Sequence, residues 1–187
     1  PESDPRASKR EVVEAIIEAD IDPRIVDEGI TAKYALLTHY PLEPESYFSN
    51  KGGGLGYGLP AAIGAAAAES LQDEPRDVLG HIGDGSYLYY PQSIYTAVRH
   101  GLDLTVLVVD NRNYRILKDN TNSMFGGDDD DHDYVGMDFD PHVDIPMNAE
   151  SHGARGHLVE TIDELGPVLN EAFSTSGVDV IDTLVHD

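Results

Sequence analysis

The residues best suited to chemistry lie between Gly83 and Tyr114, where polar side chains follow two apolar segments. Asp84 stands in a glycine turn after the first segment, and Asn111 follows the second. Carboxylate and amide oxygens are ligands that Mg²⁺ accepts, and Gly83 and Gly85 would let the backbone approach a phosphate closely. The pattern therefore indicates a magnesium ion that carries a diphosphate. For either element alone, an ordinary turn or loop cap is the commoner interpretation.

Alternating apolar segments would position these residues. The patterns predict strands at Arg24–Asp27, Asp77–Ile82, Leu104–Val109, His157–Val159 and Val178–Val185. They predict helices at Lys9–Ala19, Ala32–Leu37, Leu59–Ser70, Pro91–His100, Asp144–His152 and Ile162–Phe173, and a polar, low-complexity stretch after Asn120. This order favours an α/β fold, a doubly wound, mostly parallel sheet with helices on both faces. Ligands of such sheets bind at the carboxyl ends of the strands, where Asp84 and Asn111 fall.

The composition limits the function classes. With 187 residues the chain has the length of one domain, and it has no Cys, which excludes disulfides, thiol chemistry and Cys-based zinc sites. No apolar run reaches membrane-spanning length and no signal peptide opens the chain, so we expect a cytoplasmic protein. Because the first residue is Pro1 rather than Met, we expect a piece of a longer chain.

The charge is strongly acidic: 35 Asp and Glu against 12 Lys and Arg give a formal net charge of -23. Such a surface repels nucleic acid and anionic membranes. A disordered acidic tail is one interpretation, but the acids are scattered among well-patterned apolar segments. The solvated surface of a halophilic protein agrees better with this distribution, because high salt screens the self-repulsion.

Four stretches carry a resemblance to a known family. They are VDEGIT at Val26–Thr31, YFSNKGGGLGYGLPAAIG at Tyr47–Gly64, GDGS at Gly83–Ser86 and DNRNYRILK at Asp110–Lys118. From Ile25 to Thr121 the chain resembles the C-terminal, diphosphate-binding (PP) domain of thiamine diphosphate (ThDP)-dependent enzymes. It is most similar to the group of benzoylformate decarboxylase and acetolactate synthase. The resemblance implies the ThDP-binding fold, with ThDP and Mg²⁺ as cofactors, and a single PP domain over residues 1–187, the C-terminal third of a longer enzyme.

The resemblance also implies roles for individual residues. Asp84, the side chain of Asn111 and the backbone carbonyl of Asn113 would bind magnesium. The diphosphate would be contacted by Gly85, Ser86 and Tyr114. The family often has Asn where this chain has Asp110, a position outside the ligand set.

Two further residues are implied in binding the rings of ThDP. Gly53 would offer its carbonyl to the 4'-amino group of the aminopyrimidine. Leu55 matches the bulky apolar residue that holds the cofactor bent, so that this amino group lies beside the reactive carbon of the thiazolium. A plain core role in a glycine-rich turn is the alternative for Leu55.

The resemblance assigns no catalytic residue to this chain. The activating Glu of the family comes from a separate (Pyr) domain of the same or a neighbouring chain, so we expect half a site and a homo-oligomer. The implied substrate is a 2-oxo acid, decarboxylated by a benzoylformate decarboxylase-like lyase or, second, used by an acetolactate synthase-like carboligase. A PP subunit or regulatory module that is inactive without a Pyr partner is the alternative from another class.

Other features favour plainer interpretations. We interpret the run Asp128–Asp131 as a solvated loop, because consecutive residues cannot all converge on one ion. His81, inside a predicted strand, is expected to be buried and hydrogen-bonded. Gly52–Gly58 lacks the G-x-G-x-x-G spacing of nicotinamide-binding folds. Thr31 could face the cofactor or cap the helix that follows it.

If the acidic surface is halophilic, stability should rise with salt. We expect the free energy of unfolding to increase from low to molar KCl, because salt screens repulsion among the carboxylates. Thermal or urea unfolding followed by circular dichroism would measure it, and indifference to KCl would contradict the halophilic interpretation.

Overall fold

The centre of the fold is one parallel sheet of six strands. The structure, a computed structural model, describes residues 4–186. The strands are β1 (Arg24–Glu28), β2 (Tyr47–Ser49), β3 (Val78–Gly83), β4 (Leu104–Asp110), β5 (Arg155–Val159) and β6 (Val178–Leu184). Their order is β2-β1-β3-β4-β6-β5, and every neighbouring pair is parallel. All carboxyl ends therefore lie at one edge of the sheet.

Helices cover both faces of the sheet. One face packs against α1 (Lys9–Glu18), α2 (Lys33–His39) and α8 (Ile162–Ser174), and the other against α3 (Gly58–Glu69), α5 (Ile94–Arg99) and α7 (Ile145–Ser151). Two more helices, α4 (Asp84–Tyr87) and α6 (Arg115–Phe125), follow the carboxyl ends of β3 and β4. Among the helices of residues 4–186, none is long and apolar enough to cross a membrane.

The predicted fold class is confirmed. Each predicted strand is present with its bounds shifted by at most two residues, as for the strand predicted at Asp77–Ile82 and found at Val78–Gly83. All residues of β4 and β6 are buried, which explains their uninterrupted apolar or β-branched runs. The helix α3, rich in small residues, packs closely on the sheet: a Cβ added at Gly80 would lie 3.3 Å from the Cβ of Ala62.

The sequence reasoning missed or misplaced four elements, one of which is the short helix α4 at Asp84–Tyr87, predicted as a turn. It assigned no strand to Tyr47–Ser49, which has only three residues. It assigned no helix to Arg115–Phe125, where α6 lies directly before the polar, low-complexity run Gly126–Asp133. No residue of α6 is buried, so no core packing marks this helix in the sequence. The helix predicted at Pro91–His100 begins instead as a 3-10 turn at Pro91–Ser93.

Candidate functional site

A cleft of about 520 Å³ opens at the carboxyl ends of three neighbouring strands, β1, β3 and β4. The chain passes from β1 to β2 on one side and later to β3 on the other, so the order of strands reverses beside β1. Such a reversal point is where open α/β sheets bind ligands. The walls come from Gly29–Ala32 after β1, Gly83–Ser86 after β3, and the segment that follows β4.

Asp84 lies at the floor of the cleft and is 5% exposed. Its Oδ1 accepts a hydrogen bond of 2.8 Å from the backbone N–H of Gly85, whereas its Oδ2 is buried without a hydrogen-bond partner. A side chain at Gly85 is excluded, because a Cβ there would lie 2.6 Å from the Tyr114 ring. A buried carboxylate oxygen without a partner is costly, and a cation or a proton would offset that cost.

The two asparagines follow β4, the strand that pairs with β3 beside Asp84. Asn111 and Asn113 are buried and line the same cleft as Asp84. The Nδ2 of Asn113 donates to the backbone carbonyl of Asn111 over 2.7 Å, which fixes the turn between them. One carboxylate with neutral amide and backbone carbonyl oxygens is a donor set that suits Mg²⁺, which keeps its remaining positions for water and phosphate.

The glycine-rich loop after β2 supplies one apolar side chain. Leu55 lines the cleft although it is 46% exposed. Gly53 has a φ of 71°, which favours glycine, but it is not among the residues that line the cleft. The structure therefore brings together seven of the eight residues predicted to bind the cofactor and leaves Gly53 outside the cleft.

Comparison with known proteins decides the family. The profile described as "Thiamine pyrophosphate enzyme, C-terminal TPP binding domain" matches residues 29–183. The chain belongs to this family. The predicted resemblance is thus confirmed, and the match extends well beyond Thr121.

Similar proteins include both enzyme types named by the resemblance. Benzoylformate decarboxylase of Pseudomonas aeruginosa is 33% identical over 132 residues, covering 71% of this chain and 23% of that protein. The acetolactate synthase large subunit of Haemophilus influenzae is 31% identical over 169 residues, covering 88% and 28%. The crystal structure of benzoylformate decarboxylase from Polynucleobacter necessarius superposes with a TM-score of 0.87 at 30% identity, covering 95% of this chain and 33% of that one. The chain thus matches between 23% and 33% of the length of these relatives.

Further predicted contacts of the ThDP-binding domain can be located. Thr31 lines the cleft, and the N-cap of α2 is Ala32 with no side-chain hydrogen bond, so the structure favours the cleft-facing interpretation of Thr31. Ile116 also lines the cleft. Leu117, the next residue, is 44% exposed and is not among the lining residues.

Sequence reasoning missed several residues of the site. Lys9 and Arg115 line the cleft and Glu28 braces the loop that carries Leu55. Lys9 comes from α1, far from any of the motifs, and no residue spacing links Glu28 to a loop 28 positions later. Arg115 could have been found from the sequence, because it directly follows Tyr114, which was predicted to contact the diphosphate.

His81 is buried and hydrogen-bonded, as predicted. Its Nδ1 lies 2.7 Å from Oδ1 of Asp27, a fully buried carboxylate that also accepts from the Tyr47 hydroxyl and the Gly29 amide. Burial pushes the pKa of Asp27 up, but the His81 hydrogen bond and charge, with the Tyr47 and Gly29 bonds, outweigh it and leave the pKa lowered. This network holds the backbone of Gly29 at the wall of the cleft. The backbone lies so close to the His81 ring that a Cβ at Gly29 would be 2.7 Å from it.

The aspartate run Asp128–Asp131 is exposed, as predicted. Asp129 forms an ion pair with Arg115 and accepts a hydrogen bond from Asn122, which ties the loop to α6. Across residues 4–186, no group of three or more His, Asp or Glu side chains is placed to hold a metal. A cation bound by this domain must therefore take amide or backbone oxygens as well as carboxylate.

Buried carboxylates dominate the electrostatics behind the cleft. Burial raises the pKa of Asp84 to about 8, and the neighbouring Asp110 carboxyl adds to the shift. Burial likewise raises the pKa of Asp182 on β6 to about 8, with repulsion from Asp110 adding to it and Arg112 opposing it. Burial and the neighbouring carboxyls therefore favour the protonated forms of both acids. A bound divalent cation would displace the proton of Asp84.

Asp182→Asn should flatten the pH dependence of stability. An acid with a raised pKa binds its proton more tightly in the folded state, so the free energy of unfolding falls as pH rises from about 4 to about 8. Without Asp182 this slope should become shallower by up to about 1.4 kcal/mol per pH unit. Urea unfolding at several pH values in EDTA and constant high salt would measure the slope.

Asp179→Asn is the matched control on the same strand. Asp179 is also buried, but it accepts hydrogen bonds from Arg155 and His157. Its replacement should lower stability at pH 7 because it leaves the Arg155 charge without its partner. A slope for Asp182→Asn as steep as that of the unmodified protein would contradict the assignment of a raised pKa.

Proposed function

We propose that this domain binds ThDP through Mg²⁺ in the cleft at the carboxyl ends of β1, β3 and β4. Asp84 would bind the ion with Oδ2, Asn111 with its side-chain oxygen and Asn113 with its backbone carbonyl. The observation that carries the proposal is the buried Asp84 Oδ2 without a hydrogen-bond partner, beside two buried asparagines in one cleft. A site with this donor set favours a hard cation that shares its shell with phosphate.

The diphosphate would lie along the turn that opens α4. Gly85, Ser86 and Tyr114 line the cleft beside Asp84, and Ser86 would donate its backbone amide and its hydroxyl. The amides of Gly85 and Tyr114 donate to Asp84 Oδ1 and to the Met137 carbonyl in this structure, so each would have to exchange that partner for the diphosphate. The first turn of a helix offers unpaired N–H groups, which suits a phosphate. Lys9 and Arg115 at the same cleft would lower the cost of bringing a diphosphate into a chain with a net charge of -23.

The two rings would lie above the diphosphate site. Leu55, projecting into the cleft, would support the bent cofactor, and the Gly53 carbonyl would have to reach the aminopyrimidine by a movement of the glycine-rich loop. Gly53 and Gly56 both have positive φ, so this loop has conformations that other residues rarely adopt. When bound, ThDP supplies the carbon nucleophile and the electron sink for cleavage next to a carbonyl.

The reaction we propose for the whole protein is decarboxylation of a 2-oxo acid, as in benzoylformate decarboxylase. We retain a carboligase of the acetolactate synthase type as the second candidate. The observation in its favour is that the acetolactate synthase relative matches a larger share of the chain than the benzoylformate decarboxylase does, 88% against 71%. The activating Glu would come from a Pyr domain of the same or a neighbouring chain in a homo-oligomer. Without it this domain would bind cofactor weakly and would be inactive.

Asp84→Ala should strongly weaken magnesium-dependent cofactor binding. Loss of the charged ligand should weaken ThDP affinity about a hundredfold or more, equivalent to about 2.7 kcal/mol. Isothermal titration of ThDP with Mg²⁺ in high salt would measure this in the full-length protein. Asp103→Ala, at the opposite edge of the sheet, is the control and should bind as the unmodified protein does. Equal affinity of the Asp84 variant would contradict the metal assignment.

Substrate assays of the full-length protein would separate the two reactions. We expect carbon dioxide release from benzoylformate for a decarboxylase, and consumption of pyruvate with formation of a ligated product for a carboligase. Release of CO2 and product analysis with each acid are the measurements. If an intact, ThDP-loaded protein consumes neither acid, both substrate assignments are wrong.

A further inference from the structure

The carboxylate of Glu28 braces the loop that carries Leu55. Glu28 is the last residue of β1 and is 2% exposed. Its Oε1 accepts hydrogen bonds from the amides of Gly56 (2.8 Å) and Tyr57 (3.3 Å), and its Oε2 accepts from Gly58 (2.6 Å). These amides open α3, where N–H groups have no partner within the helix. A buried carboxylate bound to several amides is a strong, charge-assisted attachment.

The loop approaches the sheet so closely that only glycine is accommodated. A Cβ added at Gly58 would lie 2.6 Å from the Cβ of Glu28 and 2.6 Å from Ile82. A Cβ at Gly56 would lie 2.7 Å from Tyr89, a residue of the cleft, and the φ of Gly56 is 85°. The backbone directly after Leu55 is therefore held against β1 and β3 by hydrogen bonds to one side chain.

Leu55 lies between two attachments of its loop, because the Nδ2 of Asn50 donates to the carbonyl of Gly54 directly before it. Its side chain is 46% exposed, so packing within this domain contributes only part of its placement. Glu28 itself does not line the cleft. Any effect of Glu28 on a ligand in the cleft must therefore pass through the loop.

We propose that Glu28 is a positioning residue that fixes Leu55, and with it the support for the bent cofactor. The proposal rests on the proposed function of the cleft. It also goes beyond the family match, which begins at residue 29. The ionised form matters, because a carboxylate only accepts hydrogen bonds. In Glu28→Gln the side-chain NH2 group would face a backbone N–H, and two donors cannot form a hydrogen bond.

The first test is amide hydrogen exchange without cofactor. In Glu28→Gln and Glu28→Asp, the amides of Gly56, Tyr57 and Gly58 should exchange about tenfold faster or more. The Asp variant keeps the charge but shortens its reach, and it serves if the Gln variant does not fold. Glu69→Gln is the matched control: Glu69 is a buried carboxylate at the other end of α3, bonded to Arg24 and the Arg76 amide. It should leave exchange in the loop unchanged.

The second test is a double-mutant cycle on ThDP affinity with Mg²⁺ in the full-length protein. Glu28→Gln should weaken binding about tenfold, and Glu69→Gln should not. If Glu28 acts through Leu55, the same change should weaken binding much less in a Leu55→Ala background, because the two effects are coupled. A merely structural role would lower stability without this coupling.

Each outcome decides a different claim. Unchanged exchange in the loop would refute the anchoring. Faster exchange with unchanged affinity, or effects of Glu28 and Leu55 that simply add, would refute the positioning role. If the unmodified protein binds no ThDP, the proposed function fails and the positioning role with it, while the exchange result still decides whether Glu28 anchors the loop.

Discussion

The structure depends on how it accommodates buried negative charge at the carboxyl edge of its sheet. Asp84, Asp110 and Asp182 are all less than 6% exposed. Burial raises the pKa values of Asp84 and Asp182, and the neighbouring Asp110 carboxyl adds to both shifts. Taking several carboxylates out of water in a chain with a net charge of -23 is unfavourable unless protons or a cation compensate. This edge of the sheet therefore favours the binding of positive charge, which the magnesium ion of a magnesium-diphosphate complex would supply.

The parallel sheet creates this edge. Because every strand runs in the same direction, the loops after β1, β3 and β4 all emerge together. Glycines then let backbone and side chains approach closely, as where a Cβ at Gly85 would meet the Tyr114 ring. Buried polar residues hold each wall: Asp27 with His81 fixes the turn after β1, and Glu28 fixes the loop of Leu55. The side chains that would contact the cofactor are thus placed by a second layer of hydrogen bonds.

The sequence was sufficient to predict the fold class and to predict that Asp84 and Asn111 lie together at the carboxyl ends of two strands. Apolar runs such as Leu104–Asp110 are strong signals because burial on both faces demands them, and Asp84 and Asn111 follow such runs directly. The weaker predictions concern elements without core packing. The helix Arg115–Phe125 has no buried residue, and Tyr47–Ser49 is too short to show a pattern. Contacts such as Glu28 with Gly58 join residues far apart in the chain, and no local spacing encodes them.

A crystal structure of the full-length protein with ThDP and Mg²⁺ would test the central claim most directly. The account predicts a cation bound to Oδ2 of Asp84, to the Asn111 side chain and to the Asn113 carbonyl, with two diphosphate oxygens and a water completing its six ligands. Leu55 is predicted to contact both rings. A cofactor bound with no cation at Asp84, or a diphosphate held away from the turn at Gly85, would contradict it.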